Sequence, residues 1–253
     1  MTRAENSDWY KNVWSLEIKN ESWVEDTENE VDFIIKTLGL SGKERILDLA
    51  CGFGRHVLSF AKRGYSAVGV DITKDFIDDA KKTAWETGLN AEFIHSDIRD
   101  VYFSNEFDVV LNLADGAVGY LENDAENLKI FDKIAKALKP GGKHFMDICN
   151  AEHAESCFPK REWEIGEKAL ALALFEWDKE NRKIIYGSWN VPYGLPAEKP
   201  VFSKGDSWRL YSKAELRDIL NERHIRIIDT FSNYYGKKDS PSELQLIVYS
   251  RKE

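Results

Sequence analysis

A short apolar stretch followed by two closely spaced glycines is the part of this sequence best suited to bind a nucleotide-type ligand. Residues 46–49 read Ile-Leu-Asp-Leu, and Gly52 and Gly54 follow shortly after. Glycine has no Cβ, so the backbone amides of such a loop can approach a ligand closely. Asp71 ends the next apolar stretch, about twenty residues further on, where a carboxylate typically binds ribose hydroxyls. The spacing therefore predicts a strand, a ligand-binding loop and a second strand that ends in a ribose-binding acid.

Two features of this loop favour a cationic adenosine ligand over a dinucleotide. Val57 stands where the dinucleotide fingerprint G-x-G-x-x-G has its third glycine, although helix packing beside a pyrophosphate usually needs a small residue there. Asp48 adds a negative charge beside the loop, which repels a pyrophosphate and attracts an ammonium or a sulfonium. We therefore expect S-adenosylmethionine rather than NAD. An NAD-dependent oxidoreductase and a noncatalytic adenosine-ligand-binding protein are the alternatives.

Five sequence elements, in order, resemble the motifs of class I S-adenosylmethionine-dependent methyltransferases. They are the glycine loop at 48–54, Asp71, the Ser-Asp-Ile turn at 96–98, the apolar stretch 107–112 and the Leu-Lys-Pro-Gly-Gly-Lys turn at 138–143. The resemblance extends from about residue 31 to residue 253. Further similarity, to small-molecule members with a β insertion after strand five, lies in Arg55-His56, residues 112–120 and the Arg-Leu-Tyr run at 209–211. The resemblance implies methyl transfer to a nitrogen or oxygen atom of a small-molecule acceptor.

The same resemblance implies a set of cofactor-binding residues. Asp71 is expected to bind the ribose hydroxyls, Asp97 to bind the adenine amino group, and Asp48 to steady the glycine loop or the methionine ammonium. Ligands of doubly wound sheets bind at the carboxyl ends of the strands, so these acids should meet in one crevice. The other expected cofactor contacts are Ala50, Gly52, Gly54, Arg55, Ile72, Ile98, Asn112 and Leu113. Trp9 and Tyr10, which lie before the region of resemblance, are further candidates, as walls of an N-terminal lid over the cofactor.

Asp115 is the residue that we expect to act on the acceptor. It follows the predicted fourth strand, and Gly116 and Gly119 allow an unusual backbone path beside it. Its carboxylate could deprotonate or orient an amine or a hydroxyl, or it could instead bond its own loop backbone. His56 and His144 are alternative bases, although their positions are more typical of packing or surface residues.

Substrate contacts are predicted mainly in the insertion. Arg209 and Tyr211 lie two positions apart in a predicted strand and so share a face, where a guanidinium could pair with a substrate carboxylate. The full set of predicted substrate-binding residues is Tyr120, Tyr186, Trp189, Tyr193, Arg209 and Tyr211.

An α/β fold is needed to position these residues. Apolar strands and helices alternate between residues 45 and 148 at the spacing of a doubly wound, mostly parallel sheet, for which the resemblance implies seven strands. Residues 161–211 break this alternation with a predicted hairpin and a third strand, which indicates a small antiparallel β insertion. The predicted division is an aromatic-rich cap or lid at 1–30, a cofactor-binding domain at 31–160 and 212–253, and the insertion at 161–211 as a substrate cap.

Composition argues against several kinds of partner. A net charge of −9, from 44 acidic and 35 basic residues, opposes a nucleic-acid partner, since phosphate contacts need clustered lysine and arginine. Cys51, Cys149 and Cys157 contain no C-x-x-C pair, so neither a disulfide framework nor a metal site is expected. No apolar run is long enough to cross a bilayer, and the first residues lack the apolar stretch of a secretory signal. We expect a cytoplasmic enzyme with no membrane partner, and oligomeric state is not predicted.

Overall fold

The computed structural model describes residues 8–166, 169–197 and 207–253. Its strands are β1 (Arg45–Leu49), β2 (Ser66–Asp71), β3 (Ala91–His95), β4 (Phe107–Asn112), β5 (Leu138–Cys149), β6 (Lys160–Ile165), β7 (Ala169–Asp178), β8 (Lys183–Pro192), β9 (Ser207–Arg209), β10 (Ile225–Phe231) and β11 (Gln245–Lys252). Its α-helices are α1 (Thr27–Leu38), α2 (Arg55–Lys62), α3 (Lys74–Thr87), α4 (Asp124–Ala137), α5 (Ala151–Cys157) and α6 (Lys213–Asn221). Three 3-10 turns, Trp9–Lys11, Leu16–Asn20 and Ser22–Asp26, precede α1, and we call residues 8–26 the N-terminal segment.

Seven strands form the larger sheet, in the order β10-β11-β5-β4-β1-β2-β3. Neighbouring strands from β3 to β5 are parallel, whereas β11 runs antiparallel to both β5 and β10. The mostly parallel seven-stranded sheet predicted from the sequence is confirmed. The chain moves outward from β1 through β2 to β3 and then returns to β4 on the other side of β1, so the winding reverses between β1 and β4. A doubly wound sheet binds its ligand at such a reversal, beyond the carboxyl ends of the strands.

Helices cover both faces of this sheet. Leu47 and Leu49 of β1 belong to a buried cluster that includes Phe131 of α4, while Ile46 packs on the other face in a cluster with Phe60 of α2. Burial on both faces explains why the central strands are almost continuously apolar. The carboxyl ends of the central strands are thereby held in place, which positions the loops that follow them.

Two boundaries differ from the sequence prediction. Helix α1 begins at Thr27, within the segment predicted as a cap or lid at 1–30. The Pro-Gly-Gly run at 140–142, predicted as a turn before strand five, lies inside β5, where the register with β4 shifts between Phe107 and Val109. The extra residues are accommodated as an irregularity within a longer strand, with Gly141 at a φ of 76°. The prediction of a separate turn was therefore wrong in detail.

The insertion forms a separate four-stranded antiparallel sheet in the order β6-β7-β8-β9. The predicted hairpin is present as β7 and β8, and the predicted third strand is β9, which ends at Arg209. Strand β6 and helix α5 were not predicted. Strand β6 is exposed along its whole length, and α5 has only seven residues, so neither carries a strong periodic pattern. Ser212 and Glu215 form a capping box at the start of α6.

Membrane and metal signals are absent from the described ranges. None of their helices combines the length and the apolar character that a membrane crossing requires. Within the same ranges, no three His, Cys, Asp or Glu side chains are grouped so that they could bind a metal ion.

The backbone crossing between Gly119 and Arg209 joins the loop after β4 to the insertion. The amide of Arg209 donates to the carbonyl of Gly119 at 2.9 Å, and a Cβ on Gly119, whose φ is +93°, would lie 1.9 Å from the carbonyl oxygen of Arg209. We expect Gly119→Ala to lower the free energy of unfolding by about 2–4 kcal/mol, because the methyl group meets backbone and the conformation disfavours a side chain. Urea denaturation followed by circular dichroism measures the loss.

Gly42→Ala is the matched control for this prediction. Gly42 has a similar φ of +92°, but a Cβ there has no neighbour within 4 Å. We expect this variant to lose only about 1 kcal/mol, which isolates the conformational cost. Equal losses in the two variants would show that the crossing does not constrain the loop.

Candidate active site

Asp71 fixes the glycine loop between β1 and α2 by a hydrogen bond. One carboxylate oxygen of Asp71 accepts a hydrogen bond from the Gly52 amide at 2.8 Å, and the other accepts from the Thr73 amide at 2.8 Å. Ala50, Gly52 and Gly54 all have a positive φ, which the tight bend requires. A Cβ on Gly52 would have no protein neighbour within 4 Å, so this glycine leaves room beside the loop. Burial raises the pKa of Asp71, while its amide hydrogen bonds lower it.

A cavity of about 500 Å³ lies at this end of the sheet. It is bounded by the loops that follow β1, β2, β3, β4 and β5 and by the N-terminal segment. The predicted site residues that line it are Tyr10, Asp48, Ala50, Gly52, Arg55, Asp71, Ile72, Asp97, Ile98, Leu113, Asp115 and Tyr120. The structure thus brings most of the predicted cofactor residues and the predicted catalytic residue into one place.

Three predicted cofactor residues do not line the cavity. Gly54 faces β3, where a Cβ would lie 2.5 Å from a ring carbon of Phe93, so packing explains this glycine. The buried side-chain amide of Asn112 donates to the carbonyls of Leu49 and Gly116, at 3.1 and 3.3 Å. Trp9 packs against other aromatic rings and not along the cavity.

Most of the predicted substrate residues are also placed away from the cavity. Arg209 is paired with Glu215 at 2.5 Å and with Asp124 at 3.4 Å, so its guanidinium is used within the chain. Tyr211 is buried beneath Arg209, with the guanidinium 4.5 Å from its ring centroid. Arg209 and Tyr211 therefore stabilise the junction between the insertion and α4. The predicted substrate residues in β8 and the turn after it, which also do not line the cavity, are Tyr186, Trp189 and Tyr193.

Asp48 is the most informative of the predicted cofactor-binding side chains. It is 1% exposed, and neither carboxylate oxygen has a hydrogen-bond partner among the described residues. The pKa of Asp48 is raised to about 8, mainly by burial. The guanidinium of Arg55 lowers this pKa, and the charge of Asp71 contributes to raising it. A buried carboxyl group without a donor is costly, so a ligand that supplies a cationic donor would relieve this cost. The site therefore fits the ammonium group of S-adenosylmethionine.

Asp97 is held by the guanidinium of Arg99. Contacts of 2.6–3.1 Å join Arg99 to both oxygens of Asp97, and Arg99 also binds Glu122 at 2.9 Å and Glu126 at 2.8 Å. Burial raises the pKa of Asp97, but the hydrogen bonds from Arg99 outweigh it and the pKa lies below its ordinary value. The hydroxyl of Tyr10 donates to Glu122 at 3.0 Å. This network ties the N-terminal segment to the loop after β3.

Aromatic side chains of the N-terminal segment continue the cavity wall. Trp9 and Trp14 contact the ring of Tyr120, with centroids 5.1 and 6.3 Å apart, and Tyr120 contacts Trp208 of β9 at 5.7 Å. These four rings form the aromatic cluster, which joins the N-terminal segment, the loop after β4 and the insertion. Trp14, Tyr120 and Trp23 also line the cavity itself.

Asp115 connects the loop after β4 with the end of β5. Its residue lies in the left-handed region, with a φ of 67°. One carboxylate oxygen accepts from the Cys149 amide at 2.9 Å, and the other accepts from the Tyr120 hydroxyl at 3.1 Å. Desolvation raises the pKa of Asp115, which these hydrogen bonds oppose. Both oxygens are thus engaged, one by a side chain of the same loop and the other by the backbone at the end of β5.

Two acids that the sequence analysis did not select also line the cavity. Asp147, near the end of β5, accepts hydrogen bonds on one oxygen from the Tyr234 hydroxyl at 2.9 Å and from the Gln245 side chain at 3.0 Å. Burial raises its pKa to about 7, and the charge of Asp115 contributes. The only sequence signal for Asp147 is its position at the carboxyl end of a strand.

Glu30 of α1 is the second acid that was missed. It binds Arg55 at 2.5 Å and a ring nitrogen of His56 at 2.7 Å. Burial lowers the pKa of His56 to about 4, so this histidine is neutral at pH 7. His144 is fully buried against Ser250, which agrees with a packing role. No local motif marks Glu30, because its role depends on the packing of α1 against α2.

Comparison with known proteins agrees with this geometry. Residues 46–142 match the methyltransferase domain family. A Geobacillus sp. (strain WCH70) protein described as a methyltransferase is 24% identical over 223 residues, which are 87% of this chain and 83% of that protein. A ubiquinone biosynthesis O-methyltransferase of Vibrio vulnificus is 31% identical over 140 residues, 54% of this chain and 57% of that enzyme.

A solved structure shows the same fold across nearly the whole chain. An S-adenosylmethionine-dependent methyltransferase from Clostridium acetobutylicum superimposes with a TM-score of 0.75 at 17% identity, and the match covers 93% of this chain and 96% of that one. The match of residues 46–142 to the methyltransferase domain family and the shared fold agree with the class I S-adenosylmethionine-dependent methyltransferases that the ordered motifs resemble. Two solved neighbours of the same fold, an amino pentose methyltransferase and a glycopeptide N-methyltransferase, contain bound S-adenosylmethionine.

The raised pKa of Asp48 predicts how stability depends on pH in the cofactor-free protein. Its carboxyl has an ordinary pKa of 3.8 and a folded-state pKa of about 8, so the folded state binds more protons between these values. The favourable contribution of neutral Asp48 is therefore lost progressively as the pH rises from its ordinary pKa of 3.8, and the loss is complete once the pH has passed through about 8. We expect Asp48→Asn to raise the free energy of unfolding at pH 8 by at least about 1 kcal/mol and to flatten this loss. Thermal and urea unfolding between pH 5 and pH 9 measure it.

Asp108→Asn is the control of opposite sign. Burial raises the pKa of Asp108, but the hydrogen bonds from Lys139 and the Arg45 amide lower it below its ordinary value. Ionised Asp108 therefore stabilises the fold above its unfolded pKa, and this variant should lose stability at neutral pH. A steeper alkaline loss in Asp48→Asn than in the parent protein would contradict the assignment of Asp48.

Proposed function

We propose that the enzyme transfers the methyl group of S-adenosylmethionine to a nitrogen or oxygen atom of a small molecule held in the cavity. The observation that carries this proposal is one cavity lined both by the cofactor motifs and by the separate acids Asp115 and Asp147. Its volume of about 500 Å³ lies within the usual range for small-molecule sites, about 300–1,000 Å³. Its walls come from six different loops and segments, which suits an enclosed acceptor better than a polymer.

The residues of this chain divide the cofactor among them in the proposed site. Asp48 faces the ammonium group, Asp71 binds the ribose hydroxyls, and Asp97 with Ile98 contacts the adenine. Ile72 adds an apolar wall, as does Phe76. The bound cofactor supplies an activated methyl group on a sulfonium. This assignment is supported by the unpaired oxygens of Asp48 and by the open space beside Gly52.

The protein contributes mainly alignment and exclusion of water. Holding two reactants in line can lower a barrier by about 7–11 kcal/mol, and methyl transfer needs little else when the acceptor is already nucleophilic. The N-terminal segment provides the cover in this proposal, because the aromatic cluster fixes it to both the β4 loop and the insertion. Asp115 orients the acceptor or accepts its proton, in concert with Tyr120.

The direct test is release of S-adenosylhomocysteine on incubation with a panel of small amines, alcohols and phenols. Mass spectrometry of each mixture identifies the methylated product. Methylation of at least one heteroatom supports the proposal. Tight binding of S-adenosylmethionine in calorimetry, with no product from any acceptor class, would instead favour a noncatalytic cofactor-binding protein.

Removal of the ribose acid should weaken the cofactor complex. We expect Asp71→Ala to reduce S-adenosylmethionine affinity by about 1–3 kcal/mol, the scale for losing a charged hydrogen-bond partner. Asp78→Ala, which removes an exposed acid from the following helix, serves as the control and should leave the affinity unchanged. Isothermal calorimetry measures both variants, and equal affinities for Asp71→Ala and the parent protein would refute the ribose assignment.

Asp115 should affect turnover more than cofactor binding. We expect Asp115→Asn to reduce kcat by at least about tenfold, the lower range for a group that assists proton transfer, while the cofactor Kd changes less than about twofold. Steady-state kinetics with the best acceptor of the panel, together with calorimetry, separates the two effects. A parallel loss of both would assign Asp115 a structural role, through its bond to the Cys149 amide.

A further inference from the structure

The ionisable side chains that line the cavity are mainly carboxyl groups. Six carboxyl groups line it, and among the described lining residues Arg55 is the single permanent cation. Arg55 is already paired with Glu30 at 2.5 Å, and His56 is neutral at pH 7 because its pKa is about 4. The lining acids are Glu30, Asp48, Asp71, Asp97, Asp115 and Asp147. An acceptor that carries a carboxylate or a phosphate would meet repulsion here, with no uncommitted cation to receive it.

The cofactor accounts for only part of this negative charge. Asp48, Asp71 and Asp97 are the acids assigned to the cofactor, and Glu30 is neutralised by Arg55. Asp115 and Asp147 remain, and their charges interact with each other. The backbone amide of Asp115 donates to the backbone carbonyl of Asp147 at 2.8 Å, so the two residues are also in direct contact through their backbones. The acceptor side of the cavity therefore contains a carboxyl pair that the cofactor does not use.

Asp147 keeps one carboxylate oxygen available to a ligand. Its Oδ2 accepts from both Tyr234 and Gln245, whereas Oδ1 receives no hydrogen bond from any side chain or amide in the described ranges. The residue is 8% exposed, and that remaining exposure is toward the cavity that it lines. Asp115 differs, because both of its oxygens already accept hydrogen bonds. A buried carboxylate with a free oxygen needs a cationic or strongly donating partner.

Aromatic rings supply the second feature that a cation requires. Tyr10, Trp14, Trp23 and Tyr120 all line the cavity. Aromatic faces attract ammonium groups, and their surfaces also accommodate an apolar carbon skeleton. A wall of carboxylates and aromatic rings is typical of a site for an organic cation.

We infer that the acceptor is a small organic amine, and that its ammonium group binds to the free oxygen of Asp147 before methylation. This inference rests on the proposed methyl transfer and narrows it to nitrogen. Gln245 and Tyr234 are positioning residues, since they orient the Asp147 carboxylate without being required to touch the amine.

The chemical step balances with groups already named. The carboxylate of Asp147 takes one proton from the ammonium, which leaves a neutral amine with a lone pair. That lone pair forms the new bond to the methyl carbon while the carbon–sulfur bond breaks and its electron pair stays on sulfur. The methylated nitrogen carries the positive charge, and Asp147 returns its proton to solvent when the product leaves. Burial raises the pKa of Asp147 to about 7 in the ligand-free protein, which favours its role as a proton acceptor, although a bound ammonium group lowers this pKa.

Matched acceptor analogues test the inference by binding alone. The probes are 2-phenylethylamine, 2-phenylethanol and 3-phenylpropanoate, with cyclohexylamine, cyclohexanol and cyclohexanecarboxylate as a second series. Each is titrated by calorimetry into the full-length enzyme saturated with S-adenosylhomocysteine. We expect an amine to bind at least about tenfold more tightly than its alcohol, the scale for a hydrogen bond between charged groups, and the carboxylates not to bind.

Variants assign the preference to one carboxylate. Asp147→Asn keeps the size and the acceptor oxygen but removes the charge, and it should abolish the preference for the amine. Asp147→Glu restores the charge and should recover the preference at least in part. Asp218→Asn, an exposed acid on α6, is the control and should leave the preference intact. Binding of S-adenosylhomocysteine and thermal unfolding verify that each variant is folded.

The outcomes separate this inference from the proposed function. Tighter binding of an alcohol or a carboxylate, equal binding within both series, no amine binding in either series, or an unchanged preference in Asp147→Asn would overturn the amine assignment. Methylation of alcohols but not amines would also overturn it, while the proposed methyltransferase reaction would stand. If no amine, alcohol or carboxylate is methylated although the cofactor binds, the proposed function itself fails.

Discussion

The cost of burying carboxyl groups is the constraint on which this site depends. A carboxylate removed from water must find hydrogen-bond donors, take up a proton, or bind a cation. Around the cavity, Asp71 accepts hydrogen bonds from backbone amides, and Asp97 accepts them from Arg99. Asp115 accepts hydrogen bonds from an amide and a tyrosine hydroxyl. Asp48 and Asp147 keep oxygens that receive no hydrogen bond from the residues that the structure describes. In the proposed site, the unsatisfied oxygens of Asp48 face the cofactor and that of Asp147 faces the acceptor.

This arrangement connects binding with stability. Burial raises the pKa of Asp48 to about 8 and that of Asp147 to about 7, so the empty site is most easily tolerated when both groups are protonated. A cationic ligand reverses this preference, because it stabilises the ionised form. Substitutions that remove either charge therefore favour the cofactor-free fold at the expense of ligand binding, a common relation between stability and activity at functional sites.

The cavity is completed by segments that are distant in sequence. The N-terminal segment reaches Tyr120 and Trp208 through Trp9, and Arg99 fastens the same segment through Tyr10. The insertion is joined to the β4 loop by the backbone crossing at Gly119. These joints meet around Tyr120, which also donates a hydrogen bond to Asp115.

Local patterns in the sequence determined the alternating strands, the glycine loop, the acid at the end of β2 and the antiparallel hairpin. Their spacing reflects backbone geometry over a few residues, which a linear pattern records. Tertiary structure alone decided that Arg209 is paired with Glu215, that Gly54 serves packing, and that Asp147 faces the cavity. The partners of Asp147, Tyr234 and Gln245, lie 87 and 98 residues away along the chain. Charge and hydrogen-bond satisfaction depend on such distant neighbours, so no local pattern could reveal which acid remains free for a ligand.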